Sequence, residues 1–522
     1  MTHRFSGKLS ARTVFYILLS IFIISLIPLY VIGMYAHPSV DDYYYGTETV
    51  QIWNSTHSVG AVFSHAFNLM LKTYNEWQGN FSAIFLMRLE PGIFGEQYYF
   101  IASFILITSY VGCSLFFFYT VIKKIFGADK YRSGIVALSM TFVSMQLTLV
   151  PSDSFYWYNG SIYYTFFYSL MLLLFAVMIR LRGTYGIRTL PLCILSVALA
   201  FFIGGSNYAT ALFTAIILAL SAGVTLYFVI LKKNTIIKSY HAAIYVAIAI
   251  ACMAGLFISM SAPGNAVRQA YVGGSTGIIK TFIYTFAFGG YSLAKVLSSP
   301  CLIFFICMVP VFYFVAAKTH FSYHMPLLVL IFTFGLYCSA GTPVFYAQGL
   351  RIPYRMMNII FFSAYSFIGF NMIYFLGWLG KKCGNTAFLT ACTNVCNKIK
   401  QSGKCTCIAL ALCLSCFLIA CIGQIDVGET EYKSGNAGFG NMPMSISAIY
   451  SLATGEAKVY DAELTARDKY LRETDELHVA VPALSVKPEL IYHTDITSDP
   501  GDWRNAHLAM FYRKEIVWSE EE

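Results

Sequence analysis

The sequence predicts an all-α polytopic membrane protein that crosses a bilayer about ten or eleven times. Three observations carry this. Hydrophobic residues make up 57% of the 522 positions and charged residues only 12%, where a soluble chain carries about 25% charge. The apolar residues come in blocks, and positions 13–34 contain no charge at all. Lysines and arginines gather in alternate gaps between the blocks, the pattern that orients a multi-pass chain.

About 20 apolar residues span the hydrocarbon core as a helix. Backbone groups cannot stay unpaired in lipid, so each block is expected to be helical. Spans are expected near 13–34, 98–122, 133–150, 160–180, 189–204, 207–231, 241–260, 300–317, 324–341, 355–378 and 405–423. The first block is too long for the core of a cleaved signal, about 7–15 residues, and Tyr35-Ala36-His37 is a poor cleavage site. It is read as a retained helix. The segment 278–298, with Lys280, Lys295 and the pair Gly289-Gly290, is expected to dip into or lie along the outer interface as a glycine-broken helix.

Charge sets the orientation. Arg4, Lys8 and Arg12 precede the first block; Lys123, Lys124, Lys130, Arg132, then Arg180, Arg182, Arg188, then Lys232, Lys233, Lys238 fill later gaps. With Lys381, Lys382, Lys398, Lys400 and Lys404 they share one side if odd-numbered helices run outward. Of the eight carboxylates in 1–423, only Asp129 falls on that side. The tail 424–522 holds eighteen acids against nine Lys and Arg, a net of −9 against +9 for the whole chain. The expected organisation is a transmembrane domain, 1–423, with a cytoplasmic N-terminus, and an external region, 424–522.

The long first external loop, 36–97, is expected to be structured. Val59, Val62, Phe63, Ala66, Phe67, Met70, Leu71 and Tyr74 lie on one helical face. Such a helix suits the headgroup layer; packing on its own bundle is the alternative. In the tail, Asp461–Glu476 reads as an exposed helix and Val479–Pro482 as strand-like, giving a small α/β cap that could reach an acceptor through Trp503 and Asn505. Fourteen cysteines form no disulfide framework. Cys392, Cys396, Cys405 and Cys407 have no histidine or carboxylate beside them and are read as reduced thiols, not a metal site.

Chemistry-bearing residues concentrate on the expected outer face. His37-Pro-Ser-Val-Asp41-Asp42-Tyr43-Tyr44-Tyr45 follows the first block. A carboxylate near low-dielectric surroundings and another charge can be tuned as a general base; a solvated turn with an interfacial aromatic belt is the alternative. On an extended backbone the two acids would face opposite ways. Other outer turns carry Trp77 and Gly79, Asp153, Trp157 and Asn159, Asn207, Asn265 and Arg268, and Arg351 and Arg355. Arginines on this side break the charge rule, and binding a lipid phosphate bidentately would explain them; pairing with the outer carboxylates is the other account. Two adjacent acids with Asp153 could hold a divalent cation, and no metal is assigned.

Together these elements resemble the GT-C superfamily of membrane glycosyltransferases, whose first helix leads into a long external loop bearing an acidic motif. Asp41-Asp42 falls where that motif is expected. More narrowly, the chain looks like a bacterial multi-pass family near GT-C in its Asp-Asp-Tyr start, Trp77-Gln-Gly79, Tyr156-Trp157 with Asn159-Gly160, Pro263-Gly264-Asn265 with Arg268, and Asp499-Pro-Gly-Asp-Trp503-Arg-Asn505. Asn80 stands where a basic residue is expected after Trp-x-Gly.

The resemblance implies a plasma-membrane enzyme of the bacterial inner-membrane type. It would move a sugar from a polyprenyl-phosphate donor to a glycan or lipid acceptor with inversion. Asp41 or Asp42 would be catalytic, with Asp41 favoured. Tyr44, Trp77, Asp153, Trp157, Asn159, Asn207, Asn265, Arg268, Arg351 and Arg355 would bind substrate. No nucleotide-cradling glycine loop appears, and no nucleic-acid partner is expected. A flippase, transporter or polymerase for lipid-linked glycans remains the alternative.

Overall fold

A computed structural model describes residues 10–520, apart from 183, 185, 232–238, 274, 299–300, 318, 320, 350–351, 384–389, 391–393 and 395–441. The expected span at 405–423, Arg351 and the four cysteines from Cys392 to Cys407 lie outside the described residues.

Nearly every element is helical, because the apolar runs leave the backbone no other partner than itself. Helix α1 (Ala11–Ile32) starts at Ser10, whose hydroxyl accepts from the Thr13 amide. Helices α2 (Asp41–Thr56), α3 (Val59–Glu76) and α4 (Phe81–Met87) fill the first loop. Then come α5 (Phe100–Thr120), α6 (Lys130–Gln146), α7 (Tyr158–Leu181), α8 (Leu190–Gly204), α9 (Tyr208–Ile230) and α10 (Ser239–Met260). Short α11 (Gly264–Val272) leads to α12 (Ile278–Leu297), α13 (Cys301–Ala317), α14 (Pro326–Ser339), α15 (Thr342–Gln348) and α16 (Tyr354–Cys383). Large apolar side chains such as Ile24, Phe257, Ile279 and Leu327 stand exposed along these helices, a surface stable only against lipid or another apolar partner.

Among the described residues, six helices are long and apolar enough to cross a membrane, or eight if two bent pairs each count as one span. The chain is a multi-pass membrane protein. Of the expected windows, 405–423 is outside the described residues, and two of the others are too short to count. The windows at 133–150 and 189–204 form helices of 17 and 15 residues, about 26 and 23 Å at 1.5 Å per residue. Part of each apolar run is spent on turns.

The segment 278–298 also differs from expectation. It is one unbroken helix through Gly289-Gly290, and the bend of 78° comes after it, before α13. A Cβ on Gly289 would sit 2.3 Å from Cys338 Sγ. The glycine lets α12 and α14 touch rather than breaking the helix.

In the first loop, the apolar face of α3 divides in two. Val62, Ala66 and Met70 are buried against the protein, while Val59, Phe63, Phe67 and Leu71 form a bare stripe. The buried half packs on the protein's own bundle, and the exposed half leaves an apolar stripe uncovered among the described residues.

The last residues build helix α17 (Met444–Thr454), α18 (Glu456–Glu473), strand β1 (His478–Val481), α19 (Trp503–Tyr512) and β2 (Ile516–Ser519). The two strands pair in parallel, His478 opposite Ile516, with α19 in the connection that parallel pairing requires. These residues share one core with the helices: Met444, Ala448, Tyr460 and Ile491 are buried in the same cluster as Leu29 and Met145. Ser445 donates to the Ser25 carbonyl at 2.6 Å and accepts from Gln146 at 2.7 Å.

Candidate functional site

The turn after α1 is held in an unusual shape. Val40, a β-branched residue, sits at φ 33° and ψ −92°, a conformation that costs free energy and persists only where neighbours impose it. Three contacts do so. Ser39 donates its hydroxyl to the Thr494 carbonyl at 2.9 Å, and the Ser39 carbonyl accepts from Trp157 Nε1 at 3.1 Å. The Ser39 amide donates to Asp42 Oδ2 at 3.1 Å.

That turn separates the two acids. They open α2 rather than lying on an extended strand, so they diverge by the helical step of about 100°. Asp42 is fully buried, and both its oxygens are occupied: Tyr99 donates to Oδ2 at 2.6 Å and the Asn159 amide to Oδ1 at 2.9 Å. Burial pushes its carboxyl up to about 7, against the pull of those donors. Asp41 is partly open, 24% exposed, with Oδ2 at 3.8 Å from the Arg355 guanidinium.

Arg355 begins a chain of contacts. Its guanidinium lies over the Trp157 ring at 5.1 Å. The same ring also stacks on His493, at 3.7 Å and 9°. His493 Nδ1 hydrogen-bonds Asp153 Oδ1 at 2.8 Å. Asp153 is thus turned toward His493 while Asp42 is turned toward Tyr99, so the three acids do not converge as a cation site would need. Among the described residues no group of His, Cys, Asp and Glu is arranged to hold a metal ion.

Arg355 also lines a cavity of about 490 Å³ between α9, α11, α12, α15 and the start of α16. Leu212, Met260, Phe282 and Val344 make most of it apolar; Arg268, Arg355, Tyr163 and Tyr164 supply polar groups. Arg268 donates to the side-chain amide oxygen of Gln78, a neutral partner, so its charge is not cancelled there. The Gln78 amide in turn reaches the Tyr45 hydroxyl at 3.4 Å.

The expected asparagines have structural work. Asn207 caps α9 through the Thr210 amide and donates to the Tyr163 carbonyl at 2.7 Å. Asn265 accepts from the Gly79 amide at 3.0 Å and Tyr208 at 3.1 Å. A Cβ on Gly79 would lie 1.9 Å from the Ser259 carbonyl oxygen, so Trp77-Gln78-Gly79 presses directly on the end of α10. Asn80 donates to the Ser206 carbonyl at 2.6 Å, which gives this position a packing role in place of a charge. Among the described residues the buried Asn159 side chain has neither polar atom paired. Trp77 packs on Tyr271 with ring centroids 5.5 Å apart, away from Asp41's contacts.

Tyr44 stacks on His507 at 4.7 Å. Burial holds His507 below its ordinary range, and the Asp41 charge acts the other way. In the tail, Asn505 closes its own loop through Thr497 and the Asp499 carbonyl, while Trp503 stays exposed. His493, His507 and Tyr163 carry no signal in the sequence; Gln78 lies within the Trp77-Gln-Gly79 motif, without a role assigned to it.

No protein-family model matches this chain, and no curated protein or solved structure matches it.

The arrangement offers one open carboxylate beside a cation, at the edge of an amphipathic cavity with a second cation. Chemically it can take a proton, hold an anion and shelter an apolar chain.

Proposed function

We propose that the protein is a GT-C-like membrane glycosyltransferase that uses a polyprenyl-phosphate-linked sugar. One observation carries the reading: Asp41 contacts Arg355, and Arg355 shares an apolar cavity with Arg268, whose charge meets no carboxylate among the described residues. A lipid phosphate matches that cavity in both parts. Its chain suits the apolar lining and its phosphate the arginines. Asp41 would take the proton of an acceptor hydroxyl as that oxygen bonds the sugar carbon. The sugar–phosphate bond breaks, its electron pair leaves with the phosphate, and Arg268 and Arg355 meet the growing charge. The protein would sit in a bacterial plasma membrane and act on a cell-envelope glycan or lipid. The test is transfer of labelled sugar from a polyprenyl-phosphate donor by the purified protein in nanodiscs; donor that is bound but never consumed would count against an enzyme.

The proposed orientation places the acidic tail outside. A cysteine at the exposed position Asp475 should then react with an impermeant thiol reagent on intact cells. Labelling only after lysis would reverse the orientation.

A second reading, a transporter for lipid-linked sugars, draws on the bent pairs α12–α13 and α14–α15. Transporters build sites from interrupted helices, and both α12 and α15 line the cavity. Movement of intact donor between leaflets without cleavage would favour it.

A further inference from the structure

A second, chemically different cavity lies in the C-terminal region. It measures about 320 Å³ and is lined by Tyr492, Thr494, Asp495, Thr497, Ser498 and Arg504 among others. That is at the small end of the range of about 300–1,000 Å³ for ligand sites. Among the described residues four charged ones line it, Lys487, Asp495, Arg504 and Glu520, and neither cation is free: Lys487 has an interaction within the protein and Arg504 is paired. Arg504 is held by Asp502 through Nε at 2.9 Å and a second nitrogen at 2.8 Å. Asp495 is held by Arg467 at 2.6 and 3.1 Å. The rest of the wall is hydroxyls, carbonyls and one aromatic ring, with the Glu520 carboxylate, which would repel an anion and can accept from a sugar hydroxyl.

Such a wall suits a neutral polyhydroxyl ligand and not a phosphate, because a phosphate needs a cation that is not already paired. The contrast with Arg268, which faces a neutral partner in the apolar cavity, is direct.

A narrow space of about 20 Å³ adjoins the cavity and reaches the residue before Asp41. It shares Leu484, Thr494, Asp495, Ile496 and Arg504 with the cavity and extends to Ser39, Val40 and Tyr43. Thr494 is bonded to Ser39, and Val40 is the residue before Asp41. A sugar seated here lies next to the turn that presents the open carboxylate.

We propose that this cleft binds a neutral sugar unit of the acceptor glycan, with the hydroxyls of Thr494, Thr497 and Ser498 and the face of Tyr492 as its contacts. The sugar binding stands on the cleft alone; its assignment as acceptor rests on the transfer reading above.

The test uses saturation-transfer NMR on the full chain in nanodiscs. The probes are methyl glycosides of neutral hexoses, N-acetylhexosamines, deoxyhexoses and pentoses, with a uronic acid and inorganic phosphate beside them. Neutral glycosides should give signals that Ser498→Trp removes. Ser498 is exposed at the rim, so the variant should keep its thermal midpoint. Asp41→Asn should leave the signals intact. Thr494→Val, which keeps the shape and removes one hydroxyl, should weaken binding severalfold. No neutral signal, a signal indifferent to Ser498→Trp, or binding of the anions only would overturn the proposal. Where transfer is measurable, Ser498→Trp should raise the acceptor KM and leave the donor KM unchanged. Transfer with an unchanged acceptor KM sinks the cleft as acceptor site and spares the enzyme; glycoside binding without any transfer does the reverse.

Discussion

The His493 ring lies face to face with the Trp157 indole, their centroids 3.7 Å apart. Residues from opposite ends of the sequence thereby fix one wall of the candidate site, since Trp157 carries Arg355 above it. The other ring nitrogen contact, Asp153 at 2.8 Å, sets the orientation of His493.

His493→Ala should therefore act through Arg355. Turnover should fall about ten- to a hundredfold, the scale of a misplaced site group. Trp157 emission should shift as its stacked partner is lost. His493→Phe, which keeps the stack, should recover much of the rate. Equal loss in both variants would show that stacking is not what matters.

Arg268 should govern donor affinity. Arg268→Gln removes the charge and should raise the donor KM by about 1.5–3 kcal/mol worth of binding, the range for hydrogen bonds to charged groups. Arg268→Lys should recover only part, because an ammonium cannot bind a phosphate with a two-pronged fork. A donor KM unchanged in Arg268→Gln would remove Arg268 from the phosphate site.

A pH dependence follows from His37. It is buried between Glu96 and Asp461, bonding Asp461 at 2.9 Å and Glu96 more closely. Burial works against its charge, but the hydrogen bonds to Asp461 and Glu96 outweigh it and raise its pKa from 6.5 to about 9. The native state thus holds a proton that the unfolded chain releases. The stabilisation is fully present below about 6.5 and is lost as pH climbs through about 9. The opening free energy of α18, taken from hydrogen exchange after correction for the intrinsic pH dependence of amide exchange, should fall across that window in the wild type. In His37→Gln that free energy should be lower and flat; the same slope in both would clear His37.

Much of the fold is legible in the sequence. Charge-free runs such as 13–34 and 207–231 become helices because lipid leaves them no alternative. The periodicity of 59–74 marks α3, and the tail helix and strand appear within a few residues of their expected places, at Glu456–Glu473 and His478–Val481. What fails is what depends on neighbours. Gly289 reads as a break but serves a contact with Cys338, invisible without knowing that α14 lies beside it. Asp41 and Arg355 could be flagged by type and place. His493 could not, because nothing local in Tyr492-His493-Thr494 announces a partner at Trp157. Nor could the fate of Asn207 and Asn265, whose amides are taken by helix ends and backbone.

The division of labour between the adjacent acids tests the account most directly. Asp42 accepts three hydrogen bonds in a buried pocket, so Asp42→Asn sets an amide N–H against donors and should lower the thermal midpoint, at a cost of about 1–3 kcal/mol. Asp41 has open space and Arg355, so Asp41→Asn should fold normally. The decisive measurement is single-turnover transfer of labelled sugar from a polyprenyl-phosphate donor by purified Asp41→Asn in nanodiscs, beside the wild type. A loss of about a hundredfold to ten-thousandfold, with the thermal midpoint and donor binding preserved, is the result expected for a missing general base. Transfer at the wild-type rate by a folded Asp41→Asn protein would contradict it.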